Sequence, residues 1–206
     1  MQLRSDDFQH GQPIPARCAF GKPGEPIALS DNLSPHLAWR DAPPGTRSFV
    51  LTCIDSDAPS RGDDVNKEGR TVSADLPRVE FVHWLMADIP AECGELGEGS
   101  CSRGITPRGK RAPSGPPGSV QGENDYSGWF AADPQMAGTY LGYDGPCPPW
   151  NDARVHRYHF RLHALDVASL GLAAGFGVDQ LRAAMAGHVL ASAELTGTYA
   201  IHPHAS

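Results

Sequence analysis

Three stretches of the 206-residue chain carry strand-like patterns of apolar positions. Ser48 to Asp55 is mostly apolar and β-branched without clean alternation, the pattern of a central strand covered on both faces. Val79 to Ala87 is a second run of this kind, and both stop in turn chemistry: Asp-Ser-Asp-Ala-Pro-Ser at 55–60 and Asp88-Ile-Pro90. The third, Val155 to Leu165, alternates. His156, Tyr158, Phe160 and Leu162 share one face, and Arg157, His159, Arg161 and His163 the other. This places His156 on the apolar side and leaves a polar face for solvent or a partner.

Near the C-terminus Leu181, Ala184, Met185, His188 and Val189 recur at helical spacing, with Asp179 as the expected cap. Gly187 predicts close packing or an early end to that helix, and Gly197 to Ile201 reads as a last strand. The first 34 residues, broken by Pro13, Pro15, Pro23 and Pro26, read as irregular chain with short extended pieces. Glu92 to Glu123 loses all periodicity, and a loop of about 30 residues is usually functional or mobile. Its Arg103, Arg108, Lys110 and Arg111 form a local basic cluster, either a solvated face or an anion-attracting lid.

Composition sharpens this picture. With 23 Gly, 19 Pro and 40% hydrophobic residues, the chain predicts a turn-rich, mainly β globular fold rather than a helical bundle or a disordered segment. A formal charge of −7 disfavours nucleic acid as a partner, and no apolar run is long enough to span a membrane. The N-terminus lacks the apolar core of a secretory signal, so the expected location is cytoplasmic. Five cysteines without C-x-x-C spacing argue against a disulfide scaffold or a zinc ribbon, although Cys93 and Cys101 could pair in an oxidising setting.

Gly-x-Ser-x-Gly, His-Glu-x-x-His, the phosphate-loop motif and Gly-x-Gly-x-x-Gly are all absent, which disfavours the common hydrolases, metalloproteases, nucleotidases and dehydrogenases. What stands out instead is Asp55, His83 and His156, three ionisable groups at apolar strand positions. Such groups must satisfy one another or line a cavity. A carboxylate with two imidazoles makes an anion receptor: the acid holds a proton on one ring, and the rings donate to a phosphate or carboxylate.

The ordered set Leu37-Ala-Trp39, Pro43 to Phe49, Asp55-Ser-Asp-Ala-Pro59, His83-Trp84, Gly145-Pro-Cys-Pro-Pro149 and His156-Arg-Tyr158 resembles the phosphatidylethanolamine-binding protein family, in its bacterial and archaeal Raf kinase inhibitor-like branch. The resemblance runs from about Pro26 to Tyr199. It implies one domain over 1–206 of packed antiparallel β-sheets with a few peripheral helices, one near the C-terminus, and long loops at about 61–78, 92–123 and 124–140. It implies a small anion pocket with ligand-binding residues Asp55, Asp57, Pro59, His83, Gly145, Pro146, His156 and Tyr158, and a cis bond at Ala58-Pro59. Ser56 departs from the proline usual there. The 124–140 loop, near the expected pocket mouth and carrying Trp129, Phe130 and Tyr140, is a cover for ligand or a subunit contact.

The leading expectation is therefore a non-enzymatic binding protein for a small anion, such as phosphate, phosphoethanolamine or a carboxylate, without a cofactor or bound metal. The family pattern implies a homodimer, and a further protein partner is left open. Two alternatives use the same residues: a metal-dependent site on Asp55, His83 and His156, and a hydrolase built on Cys147, nine residues before His156.

Overall fold

A computed structural model describes residues 1–206. Its largest element is a five-stranded antiparallel sheet in the order β10-β9-β5-β6-β8. The strands are β5 (Ser48–Pro59), β6 (Arg78–Pro90), β8 (Val120–Gln121), β9 (His156–Leu165) and β10 (Val189–Tyr199). All three strand patterns of the sequence thus fall in one sheet, with β5 at its centre and buried along nearly all its length. The alternation along β9 holds, with His156, Tyr158, Phe160 and Leu162 buried.

A three-stranded sheet of β1 (Gln2–Arg4), β4 (Leu37–Arg40) and β7 (Glu95–Leu96) covers one face of the large sheet. Leu37, Trp39 and Leu96 meet Phe49, Leu51, Trp84, Met86, Phe160 and Leu162 there in the main core. The opposite face is covered by the helix α2 (Val178–Met185), whose Leu181 and Met185 pack with Val50, Val82 and Leu85. Period-two alternation along β5 decides this split: odd residues Phe49, Leu51 and Cys53 enter one core and Val50 the other. A hairpin of β2 (Gly21–Pro23) and β3 (Ile27–Leu29) and the short helix α1 (Tyr126–Trp129) complete the ordered elements. No helix is long and apolar enough to cross a membrane.

Several expectations need correction. The α2 cap is Gly177, whose N–H donates to Gln180 Oε1 at 2.8 Å; Asp179 lies inside the first turn. The helix stops at Met185, because Gly187 takes φ +83°, and Val189 already belongs to β10. The last strand is accordingly much longer than 197–201. The 124–140 loop holds the turn of α1. The cis peptide bond lies between Glu25 and Pro26, not at Ala58-Pro59. Cys93 and Cys101, like the other cysteines, are free thiols.

Candidate functional site

The site forms where β5, β6 and β9 depart from regular pairing. Tyr158 of β9 sits directly across from Asp55 of β5, and His156 lies two residues along the same face. On β6, Cys53 pairs with Trp84 and Ile54 with Val82, so His83 is the extra residue of a bulge. A second irregularity skips Ser56 and Asp57 between the pairs Asp55–Phe81 and Ala58–Val79. Bulges re-aim side chains and end pairing, which is what brings Asp55, His83, His156 and Tyr158 to the wall of one cavity.

His156 is held at both ring nitrogens. Nδ1 donates to Asp55 Oδ2 at 2.7 Å and Nε2 to Asp152 Oδ2 at 3.0 Å. Asp152 is itself clamped by the Arg78 guanidinium at 2.6 and 3.0 Å, with all three side chains out of solvent. Burial alone would strip the proton from His156, but the bonds from Asp152 and Asp55 outweigh it and push its pKa up to about 9. His156 is therefore a fixed imidazolium with no N–H left for a ligand, which corrects its expected role as a donor.

His83 is the opposite case. Its Nδ1 donates to the Asp144 carbonyl at 2.8 Å, its Nε2 has no partner in the protein, and burial lowers its pKa against the opposing pull of Asp55. The ring is neutral with a free acceptor facing the cavity. Asp144 is the hub that holds it: its carboxylate accepts from Asn32 and Lys110 at 2.8 and 2.6 Å and from Asn124 at 3.0 Å. Tyr158 is fully buried, and its hydroxyl is one of two buried side-chain polar atoms without a hydrogen bond. Tyr158 lines the cavity, and its hydroxyl is a donor that the protein itself leaves unused.

The cavity measures about 480 Å³. Its walls are mainly apolar: Phe81, Tyr126, Phe130, Pro59 and Pro149, with Trp129, Leu29, Ile27 and Val79 exposed around the mouth. Phe20 and Tyr126 stack at 4.6 Å to form one side. Asp55 is the only carboxylate on the lining, and Arg61 stands at the rim.

Three expected site residues lie behind the wall instead of on it. Asp57 is buried against Arg157 at 2.8 and 2.9 Å, with Arg154 at 3.2 Å; those bonds overcome burial and hold its carboxyl down to about 2. Gly145 donates its N–H to Asn32 at 2.8 Å and its carbonyl accepts the Tyr126 hydroxyl at 2.7 Å. The Pro146 carbonyl accepts from Phe20 and Gly21. Conversely, Asp152, Arg78 and Tyr126 were missed. Asp152 had a signal, four residues before His156, but it was hidden in a Pro-Pro-Trp-Asn loop; Arg78 and Tyr126 had none beyond their type.

Neither alternative chemistry fits. The ligating atoms of Asp55, His83 and His156 do not gather within 4.8 Å of one another, and an imidazolium held at both nitrogens has no lone pair for a metal. Burial pushes the Cys147 thiol up to about 12, far from an activated nucleophile.

The chain falls in the class of mainly β folds built of packed antiparallel sheets, here with an apolar-walled cavity at the irregular ends of β5, β6 and β9. Within that class the family model for phosphatidylethanolamine-binding protein matches residues 4–200, and the chain belongs to this family. The protein YbhB of Escherichia coli is 31% identical over 97% of this chain and 99% of its own. A UPF0098 protein of Methanothermobacter thermautotrophicus is 35% identical over 97% of this chain and 98% of its own. Among solved structures, Escherichia coli YbcL, described as a member of the mammalian PEBP family, superposes with a TM-score of 0.70 at 26% identity, covering 97% of each chain.

Proposed function

We propose that this protein is a binding protein, not an enzyme, whose ligand carries an oxyanion, a phosphate ester or carboxylate, on an apolar body. The observation that carries the reading is the buried, unpartnered Tyr158 hydroxyl beside the free Nε2 of His83 on the floor of an apolar-walled cavity. The Tyr158 O–H donates to one ligand oxygen. His83, protonated as the anion enters, donates from Nε2 to another. His156 contributes positive charge from the wall without donating to the ligand. The family's name refers to an amphiphile with a phosphodiester head, which agrees with this division of the cavity. A bare phosphate would fill a small part of 480 Å³ and leave the aromatic walls unused.

Calorimetric titration with an alkyl phosphate series, methyl to hexyl, tests this directly. Each buried methylene is worth about 0.8 kcal/mol, so affinity should rise about fourfold per carbon until the cavity is filled. Tyr158→Phe should weaken every member about tenfold, since a hydrogen bond to a charged group is lost. A series flat in chain length and indifferent to Tyr158→Phe would overturn the reading. Binding should also take up a proton. Because His83 starts with a lowered pKa that the anion raises, affinity is highest at acidic pH and falls as pH rises through the bound-state value.

A further inference from the structure

The stretch from Gly99 to Ser114 folds around a second cavity of about 360 Å³ that shares no lining residue with the first. Arg103, Lys110 and Arg111 line it and no Asp or Glu does, in a chain whose formal charge is −7. Ten of the fourteen arginines reach carboxylates, among them Arg17, Arg78, Arg154, Arg157, Arg161 and Arg182. Arg103 and Arg111 make no ion pair and no side-chain hydrogen bond at all, although an acidic protein offers many carboxylates.

The cavity is also structured. Lys110 is anchored through Asp144 and the Tyr143 carbonyl at 2.6 and 2.9 Å, which pins the loop while using up its own charge. The Arg103 guanidinium lies against the backbone of Gly99, where φ is +69° and an added Cβ would come within 2.8 Å of it. The backbone N–H groups of Arg111, Ala112 and Ser114 have no partner in the protein, nor have the hydroxyls of Thr106 and Ser114. Two uncommitted guanidinium forks beside solvent-facing amides and hydroxyls, without a competing carboxylate, offer donors to the acceptor-only surface of an oxyanion, and the planar fork binds such groups in a bidentate way.

We propose that this cavity is a second ligand site, specific for a small multivalent oxyanion of the phosphate class with two charged groups, one for each guanidinium. A long polyanion is disfavoured because the body of the protein repels it beyond the local patch.

The test is an NMR titration of the full chain with inorganic diphosphate at constant ionic strength, reading arginine Nε–H and backbone amide signals. Saturable shifts at Arg103, Arg111 and the 111–114 amides are expected, with sulfate and chloride far weaker. Arg103→Gln and Arg111→Gln should each weaken diphosphate binding about tenfold or more, the loss of one charge-assisted contact. Arg111→Lys should recover only part of it, since the fork is lost. Both arginines are exposed and unpaired, so these variants should fold. Three results would overturn the site: no saturation, equal response to chloride, or saturable shifts centred on His83 and Tyr158 instead.

Discussion

His156 keeps its proton because each of its N–H groups ends on a carboxylate, and this makes Asp152 as important to the cavity as the residues that line it. Asp152→Asn removes one of the two carboxylates and should bring the His156 pKa from about 9 back toward its ordinary range, read by ¹⁵N NMR; an unchanged value would contradict the clamp. Taking the only carboxylate from the buried Arg78, which keeps just the carbonyls of Asp57, Ser73 and Leu76, should also cost about 3–5 kcal/mol in a urea titration. Gly145 shows a different lesson. It resembles a ligand-approach glycine, yet an added Cβ would lie 2.1 Å from the Cys18 carbonyl, so the close approach is to the chain's own backbone. Gly145→Ala should therefore destabilise by about 1–3 kcal/mol with no direct effect on ligand contacts. Asp55, His83 and His156 stand out in the sequence because ionisable groups on apolar strand faces have few bland explanations, whereas Tyr158 comes only with the family resemblance. Asp57, Gly145 and Pro146 belong to the same motifs but serve the wall from behind, a distinction that needs coordinates.

At the level of elements, the strand pattern was legible wherever burial was two-sided or cleanly alternating, as in β5, β6 and β9. The bulges were not. Inserting one residue leaves the apolar run looking continuous, so nothing marks His83 as the extra residue opposite Cys53 and Ile54. Helix α2 was found by its period but capped wrongly, because a glycine cap completed by Gln180 carries a weaker signal than the neighbouring aspartate. Because α2 covers the sheet face away from Tyr158, stability and binding should separate there. Leu181→Ala should cost about 2–5 kcal/mol in denaturant yet leave alkyl phosphate affinity within twofold at a temperature where the protein is folded.

For the whole molecule, the buried charges set a pH window for stability. His156 is raised to about 9 in the folded chain, so its contribution is complete below about pH 6.5, the unfolded value, and is lost as pH rises toward 9. Asp57, held down to about 2 by Arg157, contributes above its unfolded value and is lost as pH falls through the acid range. Stability should therefore peak between about pH 4 and 6.5 and decline measurably by pH 9; a flat profile from 6.5 to 9 would contradict the imidazolium. The central claim is a division of labour, with His156 a permanent charge and His83 the group that meets the ligand. It is tested most directly by ¹⁵N NMR of the histidine rings at pH 7.5, without and with hexyl phosphate. The account predicts that His156 shows two protonated nitrogens in both states, while His83 passes from a neutral ring protonated at Nδ1 to an imidazolium on binding. A neutral His156 in the free protein, or a ligand that changes His156 and leaves His83 untouched, would contradict it.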